Sequence, residues 1–126
     1  MSYISDAILD DLSSIAGATV RIDICNADPG SNYTQATSTY TVGNATGQTM
    51  ETIEAGGTDG RRVQSPALTG ATVTSDAATA SHWAISNGTD TVHASGALAS
   101  SQTVYTANGF DLGQISITNR DATAEA

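Results

Sequence analysis

The two histidines, His82 and His93, are the side chains whose type and spacing come closest to a chemical site. The dipeptide Asn87-Gly88 separates the alternating runs that carry them. It is typical of a two-residue type I′ hairpin turn, because both central residues of that turn need positive φ. That turn predicts His82 opposite His93 on one face of the hairpin. On the other face, it predicts Trp83 opposite Val92.

Two neighbouring imidazoles suit zinc, copper or nickel. A structural zinc site needs four ligands, however, and the predicted face offers no third one. His82 and His93 are therefore a candidate metal pair only if a symmetry copy completes the site. The alternatives are a hydrogen-bonded or solvent-facing pair, or a contact between subunits that responds to mild acid.

Two further features could carry chemistry. Arg61 and Arg62 follow a glycine-rich loop and could clamp a carboxylate or phosphate. They lack the lysine and the spacing of a phosphate-binding loop, so a solvated strand edge or an ion pair is the ordinary role. In so acidic a chain we expect them to contact an acidic patch on a partner.

Cys25 has no Cys-His-Asn signature around it and is interpreted as a small, half-buried side chain. No catalytic motif is found, so the sequence predicts no catalytic residue, no cofactor and no enzyme.

Charge narrows the range of partners. Thirteen Asp and Glu residues stand against four basic residues, all of them Arg, and the formal net charge is −9. Because Lys and Arg neutralise phosphates, we expect no binding to nucleic acid or to an anionic membrane. The single Cys25 forms no internal disulfide. The sequence shows neither a signal-peptide pattern nor a membrane-spanning run, so we expect a soluble product of the cytoplasm.

Alternating apolar residues predict mainly β-structure. In the strand 18–25, Val20, Ile22 and Ile24 face one way, while Arg21, Asp23 and Cys25 face the other. From Arg61 onward, turn signals that include Asn87-Gly88 and Asn108-Gly109 divide an antiparallel meander into six predicted strands. These strands are 62–66, 70–75, 79–86, 90–98, 102–107 and 110–119. A bulge at Gly113 is expected in the last of them, because it would bring its four apolar residues onto one face. The fold class predicted is an antiparallel β-sandwich, jelly-roll or Greek-key like, although a small barrel predicts almost the same pattern.

The N-terminal residues predict the one helix. Ile4, Ile8 and Leu12 recur at helical spacing in and just before the segment 5–16, and Gly17 is well placed to end the helix. This helix either packs on its own sheet or docks on a neighbouring subunit. The predicted organisation is an N-terminal helical arm at 1–17, a β-sandwich domain at 18–120 and an acidic tail at 121–126. An irregular loop at 26–60 inside the domain is the predicted partner surface.

The composition predicts a thin core. Aromatic residues make up 5% and charged residues 13% of the chain, and Ala, Thr, Ser and Gly replace them. A domain of 126 residues with so little bulky apolar surface is only marginally stable. We therefore expect association with copies of itself or with partners to supply part of its stability.

Three stretches together resemble a known group of proteins. They are VRIDICNADP with the following TSTYTVGNATG, then DGRRVQSPALTGATVTSDAATASHWAISNGTDTVHASGAL, then SSQTVYTANGFDLGQISITNRDA. These phrases resemble small virion proteins of tailed bacteriophages, and the resemblance runs from about Gly17 to Ala122. It implies a non-enzymatic virion component present in many copies, and it carries over no functional residues.

Within a virion, the first expectation is a capsid decoration (cement) protein. It would bind the major capsid protein where subunits meet, and copies of itself as a homo-oligomer. The residues expected to contact partners are Ile4, Ile8, Leu12, Arg61 and Arg62. The alternatives are a tail, baseplate or fibre component, and a carbohydrate- or metal-binding β-sandwich module.

Overall fold

The computed structural model describes residues 3–4, 15–52, 54–55 and 61–119. The regular secondary structure of this part is mainly β-strand, with a π-helical turn at Gln35–Thr39. Its strands are β1 (Tyr3–Ile4), β2 (Thr19–Cys25), β3 (Thr41–Thr49), β4 (Glu54–Ala55), β5 (Arg61–Gln64), β6 (Leu68–Val73), β7 (Ala78–Ser86), β8 (Val92–Val104), β9 (Phe110–Leu112) and β10 (Ser116–Asn119). The strand pairs described are antiparallel, so the prediction of a mainly antiparallel β-fold is confirmed. No helix in the described part is long and apolar enough to cross a membrane.

The larger sheet curls into a half-barrel instead of forming half of the predicted sandwich. Its strand order is β1-β8-β7-β2-β3-β6-β9, and a smaller sheet has the order β10-β5-β4. Strands β8 and β9 lie five positions apart in that order, yet only the turn at 105–109 joins them. A flat sheet cannot bring these two strands together, so the chain connection requires the curl. The order also corrects the predicted meander, because β6 pairs with β3 and β7 pairs with β2.

Strand β2 is central, and its alternation is as predicted. It pairs with β3 on one side and with β7 on the other. Val20, Ile22 and Ile24 are buried in the main core, while Asp23 and Cys25 are buried against the opposite face. The core lies inside the curl and also receives Val63 from the smaller sheet. Its buried members are Ile15, Val20, Ile22, Ile24, Val42, Met50, Val63, Leu68, Val73, Ala80, Ile85, Ala94, Val104 and Phe110.

The β7–β8 hairpin has a different register from the predicted one. Ser86 pairs with Val92, so residues 87–91 form a five-residue loop, not a two-residue turn. The side-chain oxygen of Asn87 accepts three backbone N–H groups, from Thr89, Asp90 and Thr91, at 2.8, 2.9 and 3.1 Å. This capping favours the longer loop. As a result, Trp83 lies opposite Gly96 instead of Val92.

Two predicted strands, 90–98 and 102–107, are one continuous strand, β8. Ala80 pairs with Gln102 and His82 with Ala97, so four residues of β8 (98–101) lie opposite the single residue Ser81. Such a bulge keeps a strand continuous while bending it. The Ser-rich stretch predicted to separate two strands therefore forms a bend within one.

The predicted strand 110–119 is divided between two sheets. β9 pairs with β6 in the larger sheet, and β10 pairs with β5 in the smaller one. Gly113 lies in the connection between them and is not a bulge within one strand. Ser65 fixes this connection, because its N–H donates to the Ile115 carbonyl and its Oγ accepts the Ile115 N–H, both at 2.8 Å.

The N-terminal helix is not supported by the described residues. Tyr3–Ile4 is a strand paired with Ser95 and Ala94, residues 15–17 form a turn, and the described part has no helix of seven or more residues. Residues 5–14 of the predicted helix lie outside the described residues, as does the predicted tail at 121–126. Gly17 has a φ of +70°, as suits the residue that closes the turn. The predicted irregular region 26–60 contains the nine-residue strand β3.

Candidate functional site

A partly buried ion pair occupies the polar face of β2. Asp23 is 0% exposed, and Arg21 donates two hydrogen bonds to its carboxylate. They run from Nε to Oδ1 at 2.8 Å and from a terminal nitrogen to Oδ2 at 3.0 Å. The hydroxyl of Thr41 donates to Oδ2 at 2.7 Å. Burial raises the pKa of Asp23, while the hydrogen bonds from Arg21 and Thr41 oppose that rise. The Asp23 carboxylate is thus held by neighbours on the same sheet, which is a structural role.

Segment 26–40 covers this face, and three polar contacts fasten it. Arg21 donates to the Thr37 carbonyl at 3.2 Å, the Cys25 thiol donates to the Ala36 carbonyl at 3.5 Å, and the Ser95 hydroxyl donates to the Gly30 carbonyl at 2.9 Å. Ala36 is fully buried beside Ala84 and Val92. We call this arrangement of β2, Thr41 and segment 26–40 the clamped face.

Cys25 is a core side chain. It is 0% exposed, and burial raises the pKa of its thiol to about 12. A thiol with that pKa is protonated at neutral pH, whereas nucleophilic attack requires the thiolate. Cys25 therefore contributes packing and a weak hydrogen bond.

The structure does not bring the two histidines into the predicted pair. His82 lies opposite Ala97 on β8 and Cys25 on β2, and its Nδ1 is 2.8 Å from the Ser81 hydroxyl. His93 is the extra residue of a bulge, between the pairs Ile85–Ala94 and Ser86–Val92. Burial lowers the pKa of His93. The register set by the Asn87 loop separates the two rings along the strands, and the described residues contain no group of three or more metal-binding side chains.

The predicted partner-contact residues are described only in part. Arg61 and Arg62 lie on β5, which is the middle strand of the smaller sheet and not an edge. Ile4 lies on β1, opposite Ala94. For these three residues the backbone is described, while Ile8 and Leu12 lie outside the described residues.

A groove opens where β8 and β9 leave their connecting turn. Tyr105 and Gly109 form one antiparallel bridge, and beyond it the two strands are not paired with each other in the described part of the chain. The gap has a volume of about 340 Å³. We call it the Tyr105 groove, and it is lined by Gln102, Thr103, Val104, Tyr105, Asn108, Gly109, Phe110 and Asp111.

Contacts to β6 and to the β6–β7 turn fix the two sides of this groove. Asp76 accepts the Thr106 N–H at 3.1 Å and the Thr106 hydroxyl at 3.3 Å. Asp111 accepts the Gly70 N–H at 2.8 Å, which draws β9 toward β6 and away from β8. Phe110 is buried and packs over Gly43, where a Cβ would lie 3.0 Å from the ring.

A second gap separates β3 from β6. The two strands pair at Gly43–Val73 and Asn44–Thr72 and then diverge. At the far end, the Glu51 N–H donates to the Gln64 carbonyl at 3.0 Å. The gap is therefore bounded at both ends. We call it the β3–β6 opening. Its volume is about 570 Å³, and it is lined by Asn44, Ala45, Thr46, Gln48, Ala67, Leu68, Thr69, Ala71 and Thr72.

Glycine bulges on both strands explain the divergence. Thr46 and Gly47 of β3 lie together opposite Arg21, and Gly47 has a φ of +66°. Thr69 and Gly70 of β6 lie together opposite Asp111, and Gly70 has a φ of +64°. A bulge bends its strand and increases its twist, so two facing bulges force the strands apart. Consecutive residues of each strand line the gap, and consecutive side chains of a strand point to opposite faces of the sheet. The gap is therefore open to both faces of the sheet.

Sequence reasoning did not find either gap. It did mark Asn108-Gly109 as a turn, and Gly109 has the positive φ of +69° that this signal predicts. The exposure of Tyr105 beside that turn depends on β9 pairing with β6, which no local pattern predicts. Thr46 and Thr69 were missed for the same reason.

Comparison with protein-family models, with curated proteins and with solved structures gives no match. The resemblance of residues 17–122 to phage virion proteins therefore stays a prediction from the sequence.

Proposed function

We propose that this chain is a non-enzymatic structural protein of a tailed-bacteriophage particle, and within it a capsid decoration protein that binds the major capsid lattice. The sequence resemblance supplies the family. The side chains best suited to catalysis in the described part support a non-enzymatic role. Asp23 is held by Arg21 and Thr41, and Cys25 is a buried thiol.

The observation that carries the proposal is the β3–β6 opening. Between its two ends, β3 and β6 present strand edges to each other that have no ladder partner in the described residues. An extended segment of a neighbouring subunit can pair its own N–H and C=O groups with such edges, as in strand addition. The lining side chains carry no charge. A segment from a capsid subunit would therefore enter without unpaired charges being buried.

The acidic charge and the repetition of a lattice suit the same role. A formal charge of −9 opposes non-specific association of free copies, because like charges repel. On a capsid, each copy meets several subunits at once, so weak contacts add through effective concentration. Arg61 and Arg62 are proposed to meet an acidic patch on the capsid. Ile8 and Leu12 of the N-terminal arm are proposed to contact a neighbouring subunit, beside Ile4, whose strand β1 pairs with β8 of its own sheet.

Lysine substitutions in the opening test its role. Thr46→Lys and Thr69→Lys place a cation at either edge, while Thr79→Lys makes the same change at an exposed residue of the interior strand β7. Burying an unpaired lysine costs more than ~1.4 kcal/mol, so capsid affinity should fall about tenfold or more. The measurement is the copy number per purified particle by quantitative mass spectrometry. Equal copy numbers for all three variants would contradict strand addition at this gap.

Deletion of residues 1–14 tests the N-terminal arm separately, because it keeps the buried core residue Ile15. We expect fewer copies per particle, because the deletion removes the apolar side chains of Ile4, Ile8 and Leu12. Circular dichroism of the purified deletion protein is the control that the β-domain still folds. Full capsid occupancy by a folded deletion protein would contradict the arm.

An electron-microscopy map of the intact particle tests the location. A shell position at junctions between capsid subunits is expected. A ring or shaft position would instead favour the alternative, a tail, baseplate or fibre component. Absence of the protein from the particle would contradict both assignments.

A further inference from the structure

We propose that the Tyr105 groove binds a neutral saccharide, with Tyr105 as the stacking platform and the surrounding amides and carboxylate as hydrogen-bonding groups. This inference is independent of the capsid role, because it concerns a different gap in the sheet and a small ligand. It rests on the exposure of Tyr105, on the polar side chains around it, and on the contacts that hold the groove open.

Tyr105 supplies the aromatic surface. It is 47% exposed and is the large hydrophobic side chain that the described part leaves open to solvent. An exposed tyrosine ring can stack on a ligand, because its apolar faces gain from contact while its hydroxyl keeps a hydrogen bond. A sugar ring offers the matching combination, with a C–H face for stacking and hydroxyls at its edge.

The polar groups suit a ligand with many hydroxyls. Gln102 and Asn108 each supply an amide that both donates and accepts, and Thr103 supplies a hydroxyl. Asp111 uses Oδ1 to accept the Gly70 N–H, while its Oδ2 has no hydrogen bond to the described residues. A carboxylate oxygen is a strong acceptor for a hydroxyl donor, because charge-assisted hydrogen bonds are the stronger ones.

The charges around the groove decide against other ligand classes. No lining residue is a cation, and the chain has a net charge of −9, so phosphates, nucleic acids and acidic sugars are repelled. The mostly polar lining disfavours a lipid chain. A volume of about 340 Å³ lies at the small end of the range for ligand sites, which suits one or two sugar units.

The groove is held open before any ligand binds. Asp76 fixes the turn through Thr106, and Asp111 ties β9 to Gly70. A fixed site loses little conformational freedom on binding, so even a small contact area gives measurable affinity. The dissociation constant expected for a single sugar is on the order of 1–10 mM.

The test is a titration of the ¹⁵N-labelled protein, followed by two-dimensional NMR. Four sugars are added one at a time: glucose, galactose, mannose and N-acetylglucosamine. The cationic probe is Nα-acetyl-lysine N-methylamide, which keeps its charged ε-ammonium group. We expect at least one sugar to shift the amide signals of residues 102–111. We expect the lysine derivative to leave them in place.

Variants locate the binding. Tyr105→Ala should weaken it at least about tenfold, whereas Tyr105→Phe keeps the ring and should stay close to the parent. Gln102→Ala changes one side chain on the rim and should weaken binding as well. Thr46→Ala lies in the β3–β6 opening and is the matched control, for which no change is expected.

Three outcomes overturn the proposal. The first is the absence of shifts for every sugar, and the second is binding that persists in a folded Tyr105→Ala protein. The third is binding of the lysine derivative in place of sugars, which would make the groove a site for a basic peptide. None of these outcomes bears on occupancy of the capsid, so each is distinguishable from failure of the proposed function.

Discussion

The clamped face and the Tyr105 groove differ in the partners of their polar groups. On the clamped face, Arg21, Asp23 and Thr41 satisfy one another, and segment 26–40 covers them. In the groove, Gln102, Thr103 and Asn108 line a gap between strands that do not pair there. Polar groups that partner each other inside the chain stabilise its fold. Those left at an unpaired edge are available to another molecule, and this difference separates structure from recognition in this domain.

Removing Asp23 is expected to have the largest effect on stability. Asp23→Ala leaves Arg21 without its partner in a partly buried position, where the Arg21 side chain is 23% exposed. Breaking one side of a buried pair costs about 3 kcal/mol. Urea denaturation followed by circular dichroism should show the midpoint moving to lower urea.

A double variant sharpens this result. Replacing both partners, with Arg21→Met and Asp23→Leu together, removes the uncompensated charge and should recover part of the lost stability. Asp111→Ala makes the same substitution in the groove, and its effect on the urea midpoint should be smaller than that of Asp23→Ala. Equal losses for Asp23→Ala and Asp111→Ala would remove the distinction between the two regions.

Gly96→Ala should have the next largest effect. A Cβ at Gly96 would lie 2.8 Å from Cζ2 of Trp83, so the ring must move. Overpacking of this kind costs about 1–3 kcal/mol. The urea midpoint should fall, and the emission of Trp83, the single tryptophan, should shift. Gly113→Ala is the control, because a Cβ there meets nothing within 4 Å; a similar loss in both variants would contradict the packing described.

Ala77→Gly should stabilise the domain modestly. Ala77 has a φ of +56°, which is strained for a residue with a Cβ. Relief of that strain contributes about 1 kcal/mol, partly offset by the greater freedom of glycine in the unfolded chain. Thermal unfolding should show a higher midpoint. Because Ala77 follows Asp76, which anchors the turn beside Tyr105, an unchanged or lower midpoint would indicate that this turn is not strained.

The smallest expected effect is a dependence on pH. Burial lowers the pKa of His93 from its ordinary value of 6.5, so the unfolded chain binds a proton more readily than the folded chain. The free energy of unfolding should therefore reach its highest value above about pH 6.5. It should fall as the pH drops toward the pKa of His93 in the folded chain. His93→Gln should flatten this part of the stability profile. The measurement is urea denaturation between about pH 5 and pH 7.5, a range that brackets the ordinary pKa of histidine. An identical slope in the variant would contradict the assignment to His93.

Local patterns in the sequence predicted the clamped face better than the open gaps. Alternation along residues 18–25 placed Arg21, Asp23 and Cys25 on one face, because side-chain direction in a strand depends only on position. The covering of that face by segment 26–40 was not predicted, since it depends on contacts such as Ser95 to Gly30, 65 residues apart.

The sequence predicted where the turns lie, but not the strand register and strand order that follow from them. Asn87-Gly88 predicts the position of the chain reversal, but the two-residue turn is wrong: the Asn87 side chain caps a five-residue loop, which changes the register and separates His82 from His93. Asn108-Gly109 was marked too, yet β9 pairs with β6 because Asp111 binds Gly70. Register and strand order follow from such non-local contacts, and a single sequence carries little signal for them.

Hydrogen exchange of the isolated protein and of the same protein in the purified particle tests the central claim most directly. The claim is that the unpaired edges, and not the clamped face, are the surfaces for other molecules. We expect the amides of residues 45–49 and 67–71 to gain protection in the particle, while those of residues 21–25 exchange alike in both states. Unchanged exchange at both edges of the β3–β6 opening, or new protection confined to residues 21–25, would contradict the account.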